Sequence, residues 1–299
     1  MTISGIIDLH MHTTVSDGTD APEEIVSRVK AAGIGLFAVT DHDAVKGSAA
    51  VLARRAPEDP AFLTGVEFSC KDEEGKYHIL GYGYDPAAEA ILSVVDTGHR
   101  FRMKKLQARL DFLEERFGFS FSKEELDALR ALDNPGKPHI GNLMVGHGYA
   151  KTKEEAIKKY IDQLRLHNEY VRPEDAIAGI RASGGIPVLA HPAYGNGDQL
   201  ILGEEMDARL RRLTGFGLQG LEAFYSGFTP RISRDMLAFA ERYGLYVTAG
   251  SDYHGRNKLI SPGDTGLDHT AELPAGLRRF LSDAAALPGA AFEVQSDQF

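Results

Sequence analysis

Six of the eleven histidines in this chain of 299 residues stand with a carboxylate or a turn where an extended run should end. They lie in Asp8-Leu9-His10-Met11-His12, Thr40-Asp41-His42-Asp43, Tyr77-His78, Ala190-His191-Pro192 and Gly250-Ser251-Asp252-Tyr253-His254-Gly255. Imidazole nitrogens and carboxylate oxygens together form the mixed shells that hold divalent metals. Alternate side chains of a strand share a face, so His10 and His12 project together and can share one ion. With Asp17 from the Ser16-Asp17-Gly18 turn and Glu67 from a third strand end, the candidate ligands are His10, His12, Asp17, His42, Glu67, His78, His191, Asp252 and His254. That set is larger than one tetrahedral shell can use, so two or three divalent ions are expected. Mn²⁺ is the first choice, and Fe²⁺, Zn²⁺ and Mg²⁺ accept the same donors. A lone His-x-His is a weak signal, whereas the same chemistry repeated at successive strand ends is specific. Clustered ions suit hydrolysis of an anionic ester, because they gather its oxygens and acidify a water, and no serine or cysteine nucleophile is then required. Neither a P-loop nor a GxGxxG stands in the right context, which removes support for nucleoside triphosphate and dinucleotide chemistry.

These groups need strand ends to hold them, and the apolar pattern supplies the strands. Strands at 3–9, 36–40 and 61–67 alternate with helices at 22–32 and 45–55; Pro22 suits a first helical turn and Gly33 the cap that follows. The turn Asp72-Glu73-Glu74-Gly75 leads into a strand over 77–84. The rhythm returns with helices at 173–183, 204–214 and 233–243 and strands at 186–190, 218–224 and 246–249. Between these halves residues 87–169 read as helical and charged, most clearly at 100–116, then at 123–131 and 153–166. The expected organisation is a discontinuous metal-binding domain, 1–86 with 170–299, interrupted by a helical insertion or cap, 87–169.

The ordered motifs DLHMHTTVSDG, TDHD, GVEFSC, the His78 strand, LAHP and GSDYHG resemble those of the PHP (polymerase and histidinol phosphatase) family of metal-dependent phosphoesterases, relatives of the amidohydrolases. The resemblance covers 3–84 and 171–256 and leaves the insertion outside. It implies an α/β fold, a distorted (β/α)7 barrel, with a trinuclear centre. Position by position it implies a first ion on His10, His12, Glu67 and Asp252, a second on Glu67, His78 and His191, and a third on Asp17, His42 and His254. Glu67 bridges two of them in this scheme, and a bridging hydroxide beside it attacks phosphorus in line, which makes Glu67, Asp252 and His191 the catalytic group. Protonation of the leaving oxygen falls to a bound water, Asp43 or Tyr253; Asp41 and Asp43 equally suit the orienting of ligand imidazoles.

Substrate contacts have to come from outside these motifs. The insertion offers Arg100, Arg102, Lys104 and Lys105, a charged helix face of the kind that is usually solvated. Lys137 and His139, in a Gly-Pro turn poised to reach back over the barrel mouth, are better placed. Their segment is similar to a Gly-Arg-x-His stretch in the cap of small-molecule phosphatases of that family, with Lys137 where the arginine belongs. Asn142 stands where the nucleoside bisphosphate phosphatases carry another arginine, and losing two planar forks weakens a bidentate hold on a second phosphate. Arg231 is a further candidate anion contact. The expected reaction is hydrolysis of a small phosphorylated sugar or nucleotide: a monoester, or a ribose cyclic phosphate 5-phosphate opened and then dephosphorylated. A 3',5'-nucleoside bisphosphate phosphatase is the nearest alternative; an amidohydrolase-type C–N hydrolase and a nuclease-like PHP module are more distant ones.

Composition narrows the partners. With 43% hydrophobic and 25% charged residues the chain is of ordinary globular make-up, and its formal charge of -10 repels nucleic acid and anionic lipid. Its single cysteine, Cys70, permits no internal disulfide and no cysteine-based zinc site, and reads as a small buried hydrophobe. No apolar run approaches the roughly 18 residues needed to span a bilayer, and no basic-then-apolar leader opens the sequence. The expectation is a cytoplasmic protein whose partner is a small phosphorylated molecule, with no stable nucleic-acid or membrane binding; the oligomeric state is open. His99, His147, His167 and His269 lack strand-end context and read as surface or packing residues.

Overall fold

The structure, a computed structural model, describes residues 5–166, 169–194 and 199–293. It divides into two compact units, Met1–Val95 with Val171–Phe299, and Asp96–Tyr170.

In the first unit seven strands lie side by side in chain order: β1 (Ile6–Asp8), β2 (Ile34–Val39), β3 (Ala61–Lys71), β4 (Lys76–Tyr82), β5 (Ile186–Leu189), β6 (Gly220–Tyr225) and β7 (Tyr246–Gly250). A short β8 (Ala290–Ala291) pairs with β3. β1, β2 and β3 are parallel, as are β5, β6 and β7, whereas β4 runs against both its neighbours. The cause is local: Asp72 accepts the Glu74 and Gly75 amides at 2.9 and 3.2 Å, and the tight turn reverses the chain directly from β3 into β4. Beyond β1 and β7 the chain stays extended, and Leu9 N donates to Ala249 O (2.9 Å), Asp252 N to His10 O (2.8 Å) and His12 N to Tyr253 O (2.8 Å). These bonds join the first strand to the seventh and close the sheet into a barrel. Parallel strands buried on both faces need continuous apolar runs, and Leu36, Leu63, Val188, Leu221 and Val247 are all buried in one core. Helices α1 (Pro22–Ala31), α2 (Lys46–Arg54), α7 (Pro173–Ala182), α8 (Gly203–Gly215), α9 (Pro230–Tyr243) and α10 (Ala275–Ala284) make up the rest. α9 shows why they begin and end where they do: Thr229 accepts the Ile232 amide, Pro230 opens the first turn, and Gly244 leaves it at φ 64°.

The second unit carries most of α3 (Glu89–Phe117), then α4 (Lys123–Arg130), α5 (Lys137–Gly146) and α6 (Lys153–Glu155), which runs on as a π turn at Ala156–Tyr160 and a 3₁₀ turn at Ile161–Gln163. Its core gathers Leu106, Leu110, Leu113, Leu129, Ile140 and Met144. Ser122 and Glu125 form a reciprocal cap on α4.

Three elements extend or alter the sequence reading. β3 continues past Glu67 to Lys71 because its outer residues pair with β4 as far as Lys71 opposite Lys76. α3 runs unbroken from Glu89 to Phe117, beyond the clearest helical stretch at 100–116, and its Ile91 and Val94 belong to the barrel's apolar core, so the first unit extends to Val95. The Gly-Pro turn expected at Lys137 is instead the first turn of a helix, where proline is well tolerated. Among the described residues no helix is long and apolar enough to cross a membrane.

Candidate metal centre

All nine candidate ligands meet at the end of the barrel where the parallel strands finish. His10 and His12 lie on the extended run past β1, and both are wholly buried. Asp41, just past β2, accepts Thr13 N, Thr13 Oγ1 and Ser16 Oγ, each at 2.7 Å, and so fastens the turn that presents Asp17. His42 bridges by its backbone to Glu67, which sits within β3 opposite Leu80 of β4. His78 lies on β4, His191 follows β5, and Asp252 and His254 follow β7. The described non-glycine residues at positive φ are Asp43 (51°), His191 (27°) and Asp252 (59°), so the backbone strain collects at this end. Close approach is needed too: a Cβ on Gly250 would fall 2.2 Å from His10 Cβ and 2.5 Å from Glu222 Oε1.

Glu67 stands at the middle. Its Oε2 lies 3.2 Å from His10 Nε2, 3.2 Å from His12 Nε2 and 3.2 Å from His42 Nδ1, while Oε1 lies 2.7 Å from His78 Nδ1 and 3.1 Å from His191 Nε2. Asp252 Oδ1 approaches the first pair at 3.6 Å from His10 and 3.3 Å from His12. Asp17 Oδ1 is 3.2 Å from His254 Nε2 and 3.7 Å from His12 Nδ1. Donor atoms converge within 4.8 Å in three groups: His10, His12, Glu67 and Asp252; His12, Asp17, His42 and His254; and His42, Glu67 and His78. The first group has the composition the sequence implied for one ion. The second adds His12 to the implied trio. In the third, His42 joins Glu67 and His78, whereas His191 reaches Glu67 Oε1 without entering a convergent group.

The donor spacing itself tests whether metal fits. A tetrahedral shell with bonds of about 2.1 Å sets its ligand atoms about 3.4 Å apart. The four contacts of His10 and His12 with Glu67 and Asp252 span 3.2 to 3.6 Å. His12 Nε2 is buried among these oxygens without a hydrogen bond of proper geometry. The residues present therefore suit a divalent cation.

Electrostatics agree with the geometry. Burial opposes charge on His10, but Glu67, Glu222 and Asp252 outweigh it and hold that imidazole well above its usual pKa; for His12, Asp252 and Glu67 carry it up to about 9. Burial is also opposed at Glu67, which His42, His78 and His10 hold well below the carboxylate range, and at Asp252, which His10 and His12 do. At His42 burial prevails over Glu67 and Asp17 and takes the ring down to about 4. The carboxylates thus favour positive charge at His10 and His12, and a divalent cation there would compete with protons for the same donors.

Comparison with known proteins decides the family. The model of the PHP domain matches residues 8–174. The chain belongs to the PHP family. PHP proteins are metal-dependent phosphoesterases, and this chain is one of them. It is 32% identical to a 3',5'-nucleoside bisphosphate phosphatase of Chromobacterium violaceum over 90% of its own length and 92% of the relative's. It is 30% identical to a 5'-3' exoribonuclease of Haemophilus influenzae, covering 83% and 89%. A phosphoribosyl 1,2-cyclic phosphate 1,2-diphosphodiesterase of Eggerthella lenta is 31% identical, covering 84% and 95%. Among solved structures, a protein from Bifidobacterium adolescentis described as a candidate metal-dependent phosphoesterase superposes with a TM-score of 0.76 at 26% identity, covering 95% of this chain and 98% of that one.

The PHP site also contains residues that the motifs did not reveal. Glu222, on β6 and wholly buried, lies 3.0 Å from His10 Nδ1 through Oε1 and accepts the His191 amide at 2.7 Å through Oε2. It thus holds two site residues from behind. Tyr225 donates to Asp252 Oδ2 at 3.0 Å, and Lys258 Nζ pairs with the same oxygen. One expectation is corrected. Tyr253, a candidate proton donor to the leaving group, is buried and donates its hydroxyl to Asp20 at 2.7 Å, away from the cluster. Asp43 accepts the Ser69 amide at 2.8 Å, a tie between the His42 loop and β3.

In the second unit Lys137 Nζ pairs with Asp162, and the His139 ring accepts the Gly136 amide at 3.1 Å, closing the start of α5. Arg102 lies on α3, near Gly136. Arg100 pairs with Asp96, Lys104 with Glu169, and Lys105 lies 3.5 Å over the Tyr170 ring. Arg231 is exposed at the second position of α9. His99 lies 3.1 Å from Asp133 O through Nδ1 and His147 pairs with Glu125, while His167 falls outside the described residues.

Proposed function

We propose that this PHP phosphoesterase hydrolyses a phosphate ester of a small phosphorylated sugar or nucleotide at a cluster of two or three divalent ions, Mn²⁺ foremost. The observation that carries this reading is Glu67, whose two oxygens face separate sets of imidazoles within 3.2 Å. Ions held there supply positive charge for the ester oxygens and a water acidic enough to attack phosphorus at neutral pH. His10, His12, Glu67 and Asp252 would hold one ion and Asp17, His42 and His254 another, while His78 and His191 face the remaining oxygen of Glu67. Lys258, partly exposed beside Asp252, adds a cation where a phosphate dianion must enter. Glu222 fixes the ring of His10 and the backbone of His191, so that neither turns away when substrate arrives.

The names of the relatives set the assay panel. Turnover with added Mn²⁺ is measured on sugar phosphates, nucleoside 3',5'-bisphosphates, ribose cyclic phosphates, a short RNA and an amide panel, as inorganic phosphate for the monoesters and by chromatography of the products for the others. Turnover of a small ester well above that of RNA supports the reading. RNA as the best substrate overturns it in favour of a nuclease, and turnover confined to an amide panel overturns phosphorus chemistry altogether. Lys137 and Asn142 in place of arginines argue that a bisphosphate is not held by two planar forks.

A further inference from the structure

Three aromatic rings border the metal-ligand cluster and supply none of its donor atoms. Tyr225 ends β6, Phe228 follows in the next turn, and Tyr194 comes from the segment after His191. Their centroids are 6.0 Å apart for Tyr194 and Tyr225, 5.5 Å for Tyr194 and Phe228, and 5.2 Å for Tyr225 and Phe228. The Tyr225 ring lies 5.4 Å from that of His191, so the group begins one ring away from an imidazole that faces Glu67. None of the three is fully buried.

The two tyrosine rings are held in place. Tyr194 donates its hydroxyl to Gly227 O at 2.6 Å, and Tyr225 donates to Asp252 at 3.0 Å. Gly227 permits the approach, because a Cβ there would fall 2.8 Å from Tyr225 Cε1 and 3.2 Å from Tyr194 Cε2. Rings tethered by their polar ends have little freedom left to lose when a flat ligand lands on them. Phe228 packs against the barrel core, and all three rings keep part of their surface exposed beside the catalytic cluster. A nucleotide has the same layout, an anionic ester at one end and a planar base one sugar away.

We propose that Tyr194, Tyr225 and Phe228 form a stacking site for the nucleobase of a nucleotide whose phosphate ester is held at the Glu67 cluster. The inference rests on the phosphoesterase reading and names, within it, the nucleotide branch over the base-free sugar phosphate. Loss of one base-stacking contact weakens binding about 5- to 150-fold.

The chain contains no tryptophan, so Phe228→Trp creates a single indole reporter inside the proposed site. Adenosine 5'-monophosphate is titrated against this variant, with and without Mn²⁺, and ribose 5-phosphate serves as the base-free control. Quenching by the nucleotide and none by the sugar phosphate supports the site; identical responses to both overturn it. Steady-state kinetics of Tyr194→Leu and Phe228→Leu supply the second measurement, with circular dichroism and metal content checked. A fall of about 5- to 150-fold in kcat/KM for the nucleotide, with ribose 5-phosphate turnover retained, supports stacking. Equal losses on both substrates overturn it, since the rings then only brace the fold. Should no phosphate ester be turned over by the parent protein, the function proposed above fails, while the fluorescence titration still decides the stacking site.

Discussion

Glu67 is a carboxylate that no water-facing position would tolerate in the same role. It is wholly buried, and imidazoles from β4 and from the ends of β1 and β2 hold it well below the usual carboxylate range. Glu67→Gln preserves shape and one carbonyl oxygen but removes the anion that two groups of histidines share. Turnover is expected to fall by about 1000-fold or more with the fold intact. A variant with full metal content and more than a tenth of the parental activity would refute a bridging role. Glu222 acts one layer further back. Glu222→Ala frees the His10 ring and is expected to weaken metal binding about 10- to 100-fold, read by calorimetric titration with Mn²⁺. Unchanged affinity would reduce Glu222 to a structural acceptor for the His191 amide. Cys70 follows different rules: burial, with Asp43 and Asp175 adding negative potential, pushes its thiol well above the ordinary value. A raised pKa leaves the thiolate scarce at neutral and mildly alkaline pH. A disulfide reagent such as DTNB should leave it unmodified from pH 7 to 9 and label it once the chain is unfolded in denaturant. Rapid labelling of the folded protein at pH 7 would contradict its buried setting.

At the scale of elements, the sequence singled out the residues that the barrel brings together where a strand ended in unusual chemistry, and faltered where ordinary residues did the work. His10, His12, Asp17, His42, Glu67, His78, His191, Asp252 and His254 announced themselves because histidine and carboxylate are rare in apolar runs. Glu222 escaped notice because Leu221-Glu222-Ala223-Phe224 looks like an alternating strand with one outward polar residue. Its partner histidines are distant in the chain, and only the closed barrel turns it inward. α5 was missed because Pro135-Gly136-Lys137-Pro138 carries turn chemistry, yet a proline in the first helical turn removes an amide that would be unbonded there anyway. α3 was clearest only at 100–116 because its first turns bury toward one core and its later turns toward another, so no single apolar stripe runs through it. Gly250 is an element-level constraint of the opposite kind, invisible in composition and strict in space. Gly250→Ala should push β7 away from His10 and Glu222, lowering both thermal stability and metal affinity. An alanine variant with parental melting temperature and parental Mn²⁺ binding would show that the seam can relax.

For the molecule as a whole, the buried cluster makes stability a function of metal concentration. Free ligand at about 100 times its dissociation constant adds about 2.7 kcal/mol per site when only the folded state binds. For a domain of this size that corresponds to a rise in melting temperature of about 5–10 °C. Scanning calorimetry after chelation, and again with increasing Mn²⁺, should show a midpoint that climbs with the logarithm of free metal. A midpoint indifferent to metal would mean that the cluster is a hydrogen-bonded knot of histidines and acids rather than a cation site.

The seam between the first and seventh strands has a consequence for how the protein is made. His10 and His12 leave the ribosome early, whereas Asp252 and His254 arrive late, and the bond from Ser251 to Asp8 spans 243 positions of the chain. Between the emergence of His10, His12 and Glu67 and that of Asp252, the nascent polypeptide displays an incomplete site that lacks the carboxylate from the far side of the seam. Metal offered at that stage meets weak and unselective donors. Only when the seventh strand is drawn in beside the first do the four ligands of that group stand together, so the candidate cation site is complete only after one of the longest-range contacts in the fold has formed.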